Sequence, residues 1–244
     1  MAQKQATPSR YQFSTSLTQF ILQVGVTGHR PNKLFDASSE QLQSLIGQIL
    51  EAIVQEAKHL QKVLTNLFLT SPPVFRLISP LAEGADRMVA REALDKGYTL
   101  QCPLPFPRDE YEKDFDSPES RTEFRCLLGR AETVFELDGK REHAERAYLA
   151  AGRAVLGQSD VLIALWDGKR SLEKIGGTGQ IVREAYNRGI PVLWIDSKSP
   201  HKVSLHFCGK NLISPRKIDG FMIAINTIFT MSNGEYVRRN YLGM

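Results

Sequence analysis

Apolar residues along this chain fall into short runs separated by longer stretches in which they recur every three or four positions. The runs at 20–26, 74–80, 98–103, 160–166 and 190–195 predict buried strands, with a weaker candidate at 133–137. Between the first two, Leu42, Leu45, Ile46, Ile49, Leu50, Ile53, Val54, Ala57 and Leu60 mark an amphipathic helix of about six turns. Ser38 or Ser39 stands where its cap belongs. Further helices are expected from the turn at Gly84-Ala85-Asp86 through Leu94, near 122–131, near 144–156 and at 179–188. The charged stretch 108–121 reads as a loop. Beyond 197 the pattern loses regularity, apart from a final helix expected at 221–231.

Strands that alternate with helices of ten to fifteen residues specify βαβ units and a parallel sheet. Unbroken apolar strands agree, because a parallel sheet is covered on both faces. The expected fold is therefore α/β: a Rossmann-like, doubly wound, mainly parallel sheet with helices on both faces. The expected organisation is a loose polar segment over 1–16, then one domain over 17–244 whose extension after about 197 is irregular. The 39–60 helix either covers the sheet or supplies a homo-oligomer interface.

Such a sheet carries its ligand outside the carboxyl ends of its strands, near the point where strand order reverses. Polar clusters follow several predicted strands: Thr27-Gly28-His29-Arg30, Ser79 to Asp86, Pro103 to Arg108, Asp167 to Lys169, and Gly176-Gly177-Thr178-Gly179. All are expected on one rim. Two of these clusters bear glycines. A strand ending in glycines beside a helix start leaves backbone N–H groups free to cradle an anion without a charged side chain.

The residues taken singly carry alternatives. Gly28 permits close approach of a phosphate or a tight turn, and Arg30 clamps a phosphate or forms a surface ion pair. His29 contacts ligand or a neighbouring loop. Gly84 accommodates a positive φ or a close backbone. Glu83 and Asp86 bond ribose hydroxyls, or Asp86 caps its helix. Asp167 and Lys169 lie at the expected rim, and Trp166 offers a flat face to a base or fills the core. Gly176, Gly177, Thr178 and Gly179 are the strongest ligand candidates, because three glycines and a hydroxyl open one helix. No Walker, GxGxxG or GxSxG pattern is present.

The segments Gly25-Val26-Thr27-Gly28-His29-Arg30, Ser79-Pro80-Leu81-Ala82-Glu83-Gly84-Ala85-Asp86 and Gly176-Gly177-Thr178-Gly179 together resemble the SLOG superfamily of Rossmann-like nucleotide-binding domains. The resemblance spans roughly residues 20–196. That superfamily includes DNA-processing protein A, the LOG or "lysine decarboxylase-like" phosphoribohydrolases, and ligand-sensing domains of channels and bacterial defence proteins. The middle segment is similar to the "GLAxGxD…A…AL" stretch of DNA-processing protein A. LOG-type hydrolases carry "PGGxGTxxE", whose glutamate works at the ribose. Here the corresponding position is Arg183, and Glu184 comes one residue later, about 100° around the helix. The departure weighs against N-glycosidase activity.

The resemblance implies a nucleotide or nucleotide-derived ligand, such as an ADP-ribose-like molecule, bound without turnover. Its rivals are a nucleoside monophosphate phosphoribohydrolase, with Glu83 or Glu184 as candidate catalytic acids, and a single-strand nucleic-acid module. It also implies self-association as an open possibility.

Composition narrows this only slightly. A net charge of +4 fits an anionic ligand but does not point to nucleic acid, a partner the pattern disfavours without excluding. The small basic grouping at Arg141 to Arg146 reads as a solvated helix face. No run reaches the roughly 20 apolar residues of a membrane span. Cys102, Cys126 and Cys208 are widely spaced and show no metal-ligand pattern, which suits a reducing cytoplasm. No metal or cofactor beyond the nucleotide ligand is expected.

Overall fold

The sequence runs its first four strands outward in one direction and then returns. In the computed structural model, β1 (Ile21–Gly28) pairs with β2 (Val74–Ile78), β2 with β3 (Thr99–Leu104), and β3 with β4 (Thr133–Glu136), all parallel. The chain then crosses back, so that β5 (Val161–Trp166) lies on the other side of β1, followed by β6 (Val192–Asp196). Two further strands, β7 (Val203–Phe207) and β8 (Lys210–Ile213), add antiparallel pairs. The complete order is β4-β3-β2-β1-β5-β6-β7-β8. The structure describes residues 17–34, 40–169, 175–199, 203–207 and 210–213. The expected segment 1–16, the cap at Ser38 or Ser39, Cys208 and the helix at 221–231 lie outside them.

Six helices complete the described fold: α1 (Glu40–Val63), α2 (Ala85–Asp95), α3 (Arg108–Tyr111), α4 (Pro118–Gly129), α5 (Ala144–Gln158) and α6 (Thr178–Asn187). Strand side chains alternate between two covered faces. In β5, Ile163 and Leu165 join Leu22, Val24 and Val26 of β1 in the core beneath α1 and α2, whereas Leu162, Ala164 and Trp166 pack with α6. Burial on both faces explains why these strands read as apolar runs. The α1 stripe (Leu42, Ile46, Leu50, Ile53, Ala57) is buried in the first of these cores, so this helix covers the sheet.

Two expectations change. The stretch read as a loop to 121 contains α3, a 3₁₀ turn at Glu112–Asp114, and the first turn of α4. Ser117 caps α4, its Oγ accepting from the Ser120 amide at 3.0 Å, and Pro118 opens the helix where no intrahelical N–H is required. The strand at 190–195 is also not the last. Val203–Phe207 alternates Val, Ser, Leu, His and Phe, the period of a strand paired antiparallel.

Candidate functional site at the switch point

Because β1 to β6 are parallel, their carboxyl ends share one rim, and strand order reverses between β1 and β5. The two glycine-bearing loops meet there. The hydroxyl of Thr178, at the first position of α6, donates to the Gly28 carbonyl at 2.9 Å. The His29 amide donates to Leu165 O at 3.0 Å, extending the β1–β5 ladder by one residue. His29 Nε2 then lies 3.1 Å from Asp167 Oδ1 and accepts from the Asp167 amide at 3.3 Å.

Close packing explains the glycine at position 28. A Cβ there would sit 2.3 Å from the Ala85 Cβ and 2.9 Å from Leu165 O, so only hydrogen lets α2 approach β1 and β5. Gly84 does comparable work one loop away. Its φ of +88° is closed to most side chains, and a Cβ would lie 2.6 Å from His29 O. The Ala85 amide donates to that same carbonyl at 3.2 Å. The loops after β1 and β2 are thus in direct backbone contact.

At the start of α6, the Gly176 amide donates to Gln180 Oε1 at 2.9 Å, and Gly177 O accepts the first helical bonds. The amides of Gly177, Thr178 and Gly179 have no acceptor among the described residues. They are the orphan donors that every helix start presents, here beside the switch point.

A polar network continues along the rim. Arg30 Nη1 donates to Glu83 Oε2 at 3.2 Å, and its Nη2 lies 3.7 Å from Asp114 Oδ2. The Ser120 hydroxyl bonds the other Glu83 oxygen. Asp114, with 7% of its side chain exposed, also accepts from Tyr148 Oη at 2.8 Å and pairs with Arg141. Burial, then the bond to Asp114, pushes the Tyr148 phenol up to about 12. Sequence reasoning did not select Asp114, Ser120, Arg141 or Tyr148. Nothing in their spacing links them, since they come from four separate segments.

Other candidates sit apart from this arrangement. Asp86 is buried and accepts from the Ala82 amide at 3.3 Å, which ties down the turn rather than exposing a carboxylate. Burial raises its pKa to about 7, against the opposing Ala82 bond and the charges of Arg30 and Arg87. Thr27 remains within β1, in register with Ala164. Trp166 packs in the core, and its carbonyl accepts from Trp194 Nε1 at 2.7 Å. The Lys169 amide donates to Asp167 Oδ1 at 3.1 Å. Glu184 faces α5, where Arg153 grips it with two bonds of 2.9 Å and holds its carboxyl below the ordinary range. Glu83 and Glu184 therefore belong to different clusters. Among the described residues, no group of three His, Cys, Asp or Glu side chains is arranged to hold a metal ion, and no helix is long and apolar enough to cross a membrane.

The molecule is a Rossmann-like α/β domain by its own topology. Among solved structures, the chain is similar to DNA processing protein A from Streptococcus pneumoniae, at 16% identity and a TM-score of 0.46, over 71% of this chain and 50% of that one. It is similar to DNA processing protein A from Helicobacter pylori at 16% identity and a TM-score of 0.43, over 71% and 64%. A third likeness is to TM1055, at 14% identity and a TM-score of 0.39, over 73% and 76%. The chain spans half the length of the pneumococcal protein. No family model and no curated protein matches it. At this distance the likenesses assign no site residue.

Proposed function

We propose that the rim between β1 and β5 binds a nucleotide or nucleotide-derived ligand, of the ADP-ribose kind, without consuming it. The observation that carries this reading is the Thr178 to Gly28 hydrogen bond, which ties the α6 start, with three amides that have no acceptor among the described residues, to the end of β1 at the strand-order reversal. A phosphate there meets N–H donors and the positive end of a helix dipole together. His29 and Arg30 follow Gly28 in the same loop, and Arg30 exchanges part of its bonding to Glu83 for the ligand.

The test is thermal unfolding with AMP, ADP, ADP-ribose and cyclic nucleotides, with chromatography of the ligand afterwards. A ligand at a hundred times its Kd adds about 2.7 kcal/mol of stability, which for a chain of this size raises Tm by roughly 5–10 °C. Thr178→Val should remove most of that rise. No shift with any nucleotide overturns the reading.

A second reading, hydrolysis of the N-glycosidic bond of a nucleoside monophosphate, draws on Glu83, a partly exposed carboxylate beside Arg30. It requires free base in the chromatogram and loss of that product in Glu83→Gln. The Helicobacter pylori DNA processing protein A has a single-stranded DNA binding mode. A labelled oligodeoxythymidine therefore belongs in the same screen, and salt-sensitive binding to it would favour a nucleic-acid partner.

A further inference from the structure

The second feature of the rim lies at its other end, where β4 turns into α5. A surface hollow of about 270 Å³ opens there, floored by Pro105, Leu137 and Ala147. Lys140, His143 and Arg146 stand around it, and none of the three is in an ion pair among the described residues. The fourth basic residue of this segment, Arg141, points elsewhere. It pairs with Glu110 and Asp114, and its guanidinium lies 4.4 Å from the Phe106 ring centre. Anchored in this way, the 3₁₀ turn Arg141–His143 fixes the approach to α5.

Two cations without an ion pair among the described residues, Lys140 and Arg146, stand with the His143 ring around an apolar floor, and Asp138 is the one acid lining the hollow, on a surface where most described arginines have found carboxylates. The α5 N-terminus adds to the same positive field, since a fifteen-residue helix begins there after His143, with Glu145 the acid in its first turn. The volume stands just below the roughly 300–1,000 Å³ typical of ligand pockets, which limits the occupant to about mononucleotide size.

We propose that this hollow is an organic-phosphate site, taking a nucleoside monophosphate or a phosphate ester of similar size. The flat apolar end rests on Pro105, Leu137 and Ala147, and the phosphate lies among Lys140, His143 and Arg146. It is separate from the crevice at Gly28 and Thr178. Three strand spacings of about 4.8 Å separate β4 from β1, and the α5 residues that line the hollow, Arg146, Ala147 and Ala150, lie on a different face of the helix from Tyr148, whose Cβ packs toward Gly176. The hollow would therefore bind even if the switch point did not.

The experiment uses the full chain titrated with AMP and, separately, with inorganic phosphate, followed by calorimetry and by backbone amide NMR. The expected result is saturable movement of the amides of Gly139, Lys140 and residues 144–147. The double variant Lys140→Gln/Arg146→Gln should weaken AMP at least about tenfold, and added salt should weaken it further. Thr178→Val should leave those shifts intact. Inorganic phosphate should bind at least about tenfold more weakly than AMP, because it leaves the apolar floor uncovered. AMP moving the amides of 139–140 and 144–147 equally well in the double variant, amide movement confined to 177–179, or equal affinity of the hollow for phosphate and AMP would each overturn the proposal. A switch-point failure shows separately, as silent amides at 177–179.

Discussion

His29 and Asp167 meet across the line where strand order reverses, Nε2 to Oδ1 at 3.1 Å, with 12% and 13% of their side chains exposed. They come from loops 138 residues apart. The contact fastens the loop after β1 to the loop after β5 at the strand-order reversal. Nε2 also lies 3.3 Å from the Asp167 amide nitrogen, so both the side chain and the backbone of Asp167 face the ring.

Burial alone would raise the Asp167 carboxyl. The Lys169 amide and the His29 ring pull it down further, so its folded pKa lies below its ordinary 3.8. A depressed carboxylate stabilises the fold above its unfolded pKa and loses that contribution as pH falls through the folded value. Asp167→Asn keeps an acceptor for the Lys169 amide but loses the charge facing His29. It should cost about 1–2 kcal/mol at pH 7, and the difference from the parent should narrow as pH falls below the ordinary carboxyl value and on through the folded one. Unfolding curves across that range would decide the matter. A gap that stays constant down to pH 2 contradicts this account.

Asp86 has the opposite sign. Burial lifts its pKa from 3.8 to about 7, more than the Ala82 amide, Arg30 and Arg87 together lower it. A raised carboxyl favours the folded state while protonated, and that benefit is lost as pH climbs from about 4 through 7. Asp86→Asn retains an acceptor for Ala82 and removes the buried charge. It should therefore gain on the order of 2–4 kcal/mol over the parent at pH 8 and nothing at pH 4. Calorimetric Tm values at the two pH values would test this, and an equal effect at both would refute it.

Gly84 and Gly97 both have positive φ, at +88° and +81°. Only Gly84 has backbone against it, with His29 O 2.6 Å from where a Cβ would be, whereas nothing lies within 4 Å at Gly97. Gly97→Ala should cost about 1 kcal/mol, and Gly84→Ala more than about 3 kcal/mol, because the loop after β1 must move. Urea midpoints for the two variants would separate these mechanisms. Equal losses would mean that the contact with His29 is not what requires glycine.

The parallel sheet could be read in the chain because its strands are covered on both faces. Residues 160–166 had no polar face to confuse the pattern, and α1 announced itself by spacing alone. The Ser117-Pro118 helix start was equally local, yet the charges at 119–121 masked it as loop. Val203–Phe207 was missed for a related reason: five residues with His206 on one face give too short an alternation to stand out. Legibility also divides at the rim. The meeting of Gly28 with Thr178 was foreseeable, since six parallel strands place their carboxyl ends together. The grouping of Asp114, Arg141 and Tyr148 was not. It depends on how the α3–α4 segment folds back, which no spacing encodes.

That fold-back rests on Arg87, which has 2% of its side chain exposed. Its Nε donates to Leu81 O at 3.0 Å, and its Nη1 reaches Ser120 O, Ser120 Oγ and Glu123. The guanidinium lies 4.2 Å from the centre of the Phe115 ring, so one side chain of α2 grips α4. Ser120 in turn bonds Glu83, the partner of Arg30. Arg87→Ala leaves the buried Leu81 carbonyl without its donor and Glu123 with Arg91 alone, and should cost about 1–3 kcal/mol. Arg87→Lys keeps the charge but has no planar fork to reach both Leu81 and Ser120. It carries the test if the alanine variant does not fold. In the lysine variant, hydrogen exchange should quicken in α4 and at Ser120 while β1 and β5 stay protected, because only the α4 side has lost its tie. Uniform acceleration across the sheet would instead make Arg87 a general core residue, and the coupling from Arg87 through Ser120 to Glu83 and Arg30 would be wrong.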